Sequence, residues 1–144
     1  DLGIEAFPYL LKSTRDKRYC FTMDEGSTDF NYSVGHACSE IVRSYLEPYG
    51  PFTKGRGSPL GRALRPRYMK QFKLNDPPSA EKWWQERKTK TMRELQIEVL
   101  EWVIGEERRN PKKYSNEELS YLDDVLAKLR KSGEPLKPSW PFSR

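Results

Sequence analysis

The longest periodic stretch of the chain, Thr91 to Asn110 (TMRELQIEVLEWVIGEERRN), repeats its apolar residues at three- and four-residue intervals. Met92, Leu95, Val99, Trp102 and Val103 define one helical face, and Ile97, Leu100 and Ile104 widen it, so the helix is expected to be covered on more than one side. Thr91 and Glu94 have the spacing of a capping box, Arg108 and Arg109 sit where the helix dipole favours cations, and Asn110 before Pro111 is a stop. A second amphipathic run, SVGHACSEIVRSYLE, places Val34, Ala37, Cys38, Ile41, Val42, Tyr45 and Leu46 on one side behind Ser33 as N-cap, and Pro48 and Gly50 close it. A third begins with another capping box, Ser115 with Glu118, and carries Leu119, Leu122, Val125, Leu126 and Leu129 until Gly133. The short NPKKY connection makes the Thr91 and Ser115 helices an antiparallel pair.

The remaining pattern is weaker. LGIEAFPYLLKST puts Ala6, Phe7, Leu10 and Leu11 on one side of a short helix that tolerates Pro8 near its start. RYCFTMDEGSTDFNY, rich in turn formers, reads as a loop in which Tyr19 to Met23 is at most a brief extended piece. After Pro77 and Pro78, Ser79 is the expected cap of a helix through AEKWWQERK, with one of Trp83 and Trp84 in the core and the other over a seam. The tail EPLKPSWPFSR, with three prolines, is expected to be extended, with Trp140 and Phe142 docked. The expected architecture is all-α, with about five helices in a single domain over residues 1–144. It divides into a helical hairpin (1–50), a basic loop (51–78), C-terminal helices (79–132) and an extended tail (133–144). The expected core includes Phe7, Leu10, Leu11, Val34, Cys38, Ile41, Leu95, Val99, Trp102, Leu122 and Val125.

Within residues 1–50, a Pro-containing first helix (Ala6, Pro8, Leu10, Leu11), Asp16 at its exit and a second helix opening Val34, then Ala37 and Cys38, resemble one unit of the HEAT repeat family. The resemblance implies two antiparallel helices per unit, stacking into a solenoid whose concave surface binds another macromolecule, and no catalysis. Two departures stand out: the inter-helix segment is far longer than that family's turn, and Gly35 stands where the family often has Arg. A solenoid needs about three stacked units, and one is visible here. The phrases RYCFT and EIVRSYLEPYG also resemble segments of uncharacterised bacterial proteins.

Composition bounds these readings. At 144 residues the chain can bury a core without metal or disulfide staples, and 12% aromatic residues argue for a folded, soluble protein despite 33% charged residues. No apolar run approaches the length of a membrane span, and no signal-peptide pattern opens the chain at Asp1, which leaves both a cytoplasmic location and export after loss of a leader open. Cys20 and Cys38 lack CxxC spacing; Cys38 reads as a small buried residue, with a Cys20–Cys38 disulfide as the alternative in an exported protein.

Catalytic signatures are missing from the sequence. The single histidine, His36, precludes a multi-histidine metal site, and with Glu40 it reads as an i,i+4 surface pair. Asp24, Glu25 and Asp29 lack calcium-loop spacing, and GRGSPLG lacks the Lys-Ser/Thr of a phosphate loop. No cofactor and no metal are expected. Residues 51–75 hold seven of the 26 basic residues and none of the 21 acidic ones, so the positive surplus resides there. Lys54, Arg56, Arg62, Arg65, Arg67, Lys70 and Lys73, with Tyr68 and Phe72 among them, form the candidate partner or nucleic-acid surface. The first expectation is that these cations are solvated or clamp the segment onto the protein's own carboxylates, as with Glu106 and Glu107 or Asp123 and Asp124. The expected function is a helical interaction module binding a protein partner; the alternatives are a nucleic-acid binder using residues 54–73 and an enzyme of unknown class.

Overall fold

The computed structural model describes residues 3–24, 29–48, 67–111 and 115–138. Among these the chain is mostly helical, with one two-stranded sheet. The elements are α1 (Phe7–Lys12), β1 (Tyr19–Asp24), β2 (Asp29–Ser33), α2 (Val34–Leu46), α3 (Arg67–Gln71), α4 (Pro77–Gln85), α5 (Met92–Arg109) and α6 (Ser115–Ser132). They group into two compact units, each drawn from two stretches of chain: Asp1–Arg43 with Met69–Lys88, and Ser44–Tyr68 with Thr89–Arg144.

In the first unit α1 packs on α4, with Phe7 and Trp84 rings 6.0 Å apart. Phe7, Leu11, Ala80, Trp83 and Trp84 are all buried, so both tryptophans serve the core rather than one covering a seam. Helix α4 starts earlier than expected. Asp76 is its N-cap, accepting from the backbone N–H and the hydroxyl of Ser79 at 3.3 and 2.7 Å, and the two prolines fill the first turn, where no N–H is needed. The Ser79 hydroxyl bond is the main reason the Asp76 carboxyl lies below its ordinary pKa, and Arg15 pairs with the same carboxylate.

The segment expected to be a loop is an antiparallel hairpin, and α1 packs on α4. Helix α2 begins at Ser33 as the sequence implies, the Ser33 hydroxyl accepting from the N–H of His36 at 3.1 Å. Its first turn lies directly on the chain leaving α1: Val34 N–H donates to Arg18 O at 2.9 Å and Gly35 N–H to Asp16 O at 2.8 Å. A Cβ at Gly35 would sit 2.5 Å from Thr14 O and 2.9 Å from Asp16 N. A side chain at this position therefore has no room.

In the second unit α5 and α6 pack antiparallel. Arg93, near the start of α5, donates to the carbonyls of Leu129 and Arg130 at 3.1 and 2.8 Å, and Arg108, near its end, pairs with Asp123 at 3.1 Å. Those Arg93 bonds satisfy carbonyls that a helix end leaves without intrahelical partners. The Thr91 capping box forms, and Glu94 is held below its ordinary pKa chiefly by the Thr91 backbone N–H. The face α5 buries is Leu95, Gln96, Val99, Leu100, Val103, Ile104 and Glu107. Trp102 is only half-buried, as are Leu10, Val34 and Ile41 of the expected core. Side chains of the second capping box, and both tail aromatics Trp140 and Phe142, lie outside the described residues.

Gly133, at φ +72°, takes the left-handed conformation that ends α6. The Ser132 hydroxyl donates to Glu134 O at 2.8 Å and turns the chain back. Leu136 then forms a reciprocal pair with the fully buried Gln96: its N–H donates to Gln96 Oε1 at 2.8 Å, and Gln96 Nε2 donates to Leu136 O at 3.0 Å. A further bond from Nε2 goes to Tyr45 O at 2.9 Å.

Candidate interaction surface

Of the basic segment, Lys54, Arg56, Arg62 and Arg65 and the side chain of Arg67 lie outside the described residues. The described members are divided between the two units. Tyr68, in the second unit, is fully buried; its hydroxyl donates to Glu98 Oε1 at 2.9 Å and its ring meets Trp102 edge-on at 5.5 Å. Such a ring has no face to offer a nucleic-acid base. Phe72, in the first unit, carries the Arg87 guanidinium 5.6 Å from its centroid, and the same guanidinium lies 5.1 Å from the Trp83 ring. Lys70 and Lys73 are exposed.

Lys73 has a conformational role of its own. Its φ is +49°, and the bonds Lys73 N–H to Lys70 O (3.2 Å) and Leu74 N–H to Met69 O (2.9 Å) form a Schellman motif with Lys73 at the position normally given to glycine. Met69 and Leu74, at the two positions whose apolar side chains accompany this motif, are both buried. Lys73→Gly is therefore expected to raise stability by roughly 0.5–1 kcal/mol in urea unfolding, since relief of about 1–2 kcal/mol of left-handed strain exceeds the entropy that glycine adds to the unfolded chain.

The arrangement that does gather exposed recognition chemistry is the β1–β2 hairpin. Its register pairs Tyr19 with Ser33, Phe21 with Tyr32 and Thr22 with Asn31, leaving Cys20 as the extra residue of a bulge. In a regular strand Tyr19 and Phe21 would share a face. The bulge breaks that alternation and brings Tyr19 onto the face of Thr22. One face then holds Phe21 stacked on Tyr32, with centroids 5.0 Å apart and planes 5° apart, backed by His36 edge-on to Tyr32 at 4.3 Å. The other carries the Tyr19 hydroxyl bonded with Thr22 Oγ1 at 2.9 Å, and Thr22 Oγ1 donating to Asn31 Oδ1 at 2.7 Å. Tyr19, Thr22 and Asn31 are all exposed, Tyr19 at 66%.

This face was invisible to a reading of the segment as a loop; the cross-strand match of Phe21 with Tyr32 and of Thr22 with Asn31 was its only trace. His36 faces Glu40 at 4.0 Å, an ordinary helix-surface spacing, and Glu40 also pairs with Arg43. Asp24 and Asp29 close the hairpin as its last paired residues, while Glu25 lies outside the described residues. Cys20 is exposed and Cys38 buried, both as free thiols; burial pushes the Cys38 thiol up, with the charges of Cys20 and Asp16 adding to the shift. Among the described residues, no cluster of three or more histidine, cysteine or carboxylate side chains has the geometry of a metal site, and no helix is long and apolar enough to cross a membrane. In comparison with known proteins, the chain matches no family model, no curated protein and no solved structure.

Proposed function

We propose that the chain is a mostly helical interaction module that binds a protein partner without chemistry of its own, using the Tyr19–Thr22–Asn31 face of the hairpin. The supporting observation is the exposure of Tyr19 on a face whose polar groups are already oriented by hydrogen bonds to each other. Tyrosine brings a large, stiff, amphipathic ring to an interface at low entropic cost, and asparagine and hydroxyl side chains supply adaptable hydrogen bonds around it. The bulge that turns Tyr19 outward strengthens the reading, because bulges re-aim side chains and also discourage indiscriminate edge pairing. Tyr9, 75% exposed on α1, is a second ring in the same unit left in water.

Affinity capture from an extract of the source cells, comparing the native chain with Tyr19→Ala, tests the proposal. Loss of a central interface tyrosine costs about 2 kcal/mol, roughly thirtyfold in affinity. A partner held by the native chain is expected to fall by at least about tenfold in recovery, with the melting temperature unchanged. Equal recovery by both chains would remove this face from the interface.

A further inference from the structure

The contact between Gln96 and Leu136 has the form of a ligand seat. A side-chain carboxamide presents one N–H and one carbonyl side by side, the same pair that a peptide unit offers across a β-ladder. Here both are used on a single residue of the tail, at 2.8 and 3.0 Å. The second N–H of Gln96 Nε2 is fixed on Tyr45 O at 2.9 Å, so the carboxamide keeps its orientation whether or not the tail is present. From Pro135 onward accessibility alternates: Pro135 and Lys137 are exposed, and Leu136 and Pro138 half-buried. That is the signature of an extended chain with every second side chain turned inward. Backbone hydrogen bonds to a preformed acceptor and donor, with alternate side chains read by the surface, are the elements of extended-peptide recognition.

We propose that the Gln96 seat is an exchangeable site for an extended peptide, occupied in cis by residues 134–138 and open in trans to the same tail segment of a second copy of this chain. The inference is independent of the hairpin face, which belongs to the other unit. Its energetic basis is that the tail is held through two backbone bonds at one residue and a partly buried leucine and proline, a small hold compared with the fully buried leucines of α5. A short tether keeps the cis segment at an effective concentration in the millimolar range, which a competing ligand must overcome.

The test uses the full chain and a fluorescent peptide of residues 133–144. In the Leu136→Pro chain the tail loses the N–H that Gln96 Oε1 accepts, so the labelled peptide is expected to bind this variant at least tenfold more tightly than it binds the native chain. A peptide N-methylated at Leu136 is expected to bind the variant at least tenfold more weakly than the unmodified peptide. Equal binding to the two chains, or by the two peptides, would overturn the proposal. Hydrogen exchange on the native chain gives a reading that does not depend on the variant folding. The Leu136 amide is expected to exchange at least a hundredfold faster than those of Leu95 and Val99, through an opening that leaves α5 intact. Exchange of Leu136 in step with Leu95 and Val99 would show that the segment never leaves alone, and would overturn the proposal equally.

Discussion

Gly35→Ala is expected to destabilise the first unit by about 2–3 kcal/mol, although the same change inside a helix ordinarily stabilises by up to about 1 kcal/mol. The added carbon would lie 2.5 Å from Thr14 O and 2.8 Å from Thr14 C, and these are backbone atoms that cannot rotate away. Lifting the helix to relieve the overlap stretches the bonds from Val34 and Gly35 to Arg18 and Asp16, each contributing roughly 1 kcal/mol. Gly105→Ala is the matched control. Its Cβ would meet only the far end of the Arg109 side chain, at 3.9 Å, so the ordinary propensity gain should appear undiminished. Urea unfolding of the two variants should therefore give shifts of opposite sign. A stabilising shift for Gly35→Ala, like that of the control, would show that the first turn of α2 does not lie on the chain at Thr14–Asp16.

The second large effect is expected at Gln96. Gln96→Leu keeps the approximate volume but leaves Tyr45 O, Leu136 N–H and Leu136 O without their partner. The buried Tyr45 carbonyl left unpaired costs about 1–3 kcal/mol and each of the two part-buried bonds to Leu136 about 1 kcal/mol, so a net loss of about 2 kcal/mol is expected after the gain from burying leucine. Gln96→Glu should be worse at neutral pH and should recover on acidification. Burial of a carboxylate raises its pKa above the value in the unfolded chain, so the variant has its full stability below the unfolded pKa and loses it as pH rises through the folded one. The protonated carboxyl also restores one donor and one acceptor toward Leu136. Thermal melts at acid and neutral pH would show this, and a Gln96→Glu chain less stable in acid, relative to the native chain, would contradict it.

Helix α5 shows how far the sequence can be read. Its limits, its capping box and its pairing with α6 follow from spacing alone, because Thr91, Glu94 and the apolar repeat act locally. The buried face, however, is turned relative to the apolar count: Gln96 and Glu107 go in, and Trp102 stays half out. A hydrophobic pattern cannot place a buried glutamine whose partners lie 51 and 40 residues away. The α4 cap departs from the expected Ser79 for a different reason. Pro77 and Pro78 read as a break, yet proline suits the first helical turn, so the helix starts on their N-terminal side at Asp76. The hairpin is hard to see in the sequence because its bulge interrupts the period of two that marks a strand, and the Tyr19 face is hidden with it. Of the basic segment, the rings of Tyr68 and Phe72 are engaged by the protein itself, which neither composition nor charge foretells.

The bulge also gives the wild-type chain an addressable label position. Cys20, its extra residue, is exposed beside Tyr19, whereas Cys38 is buried with its ionisation pushed upward. Since thiolate is the reactive form, a maleimide dye at neutral pH attaches to Cys20 and spares Cys38. One fluorophore per molecule then sits next to the proposed recognition face without any engineered cysteine, placed so that a partner docking there would change its surroundings.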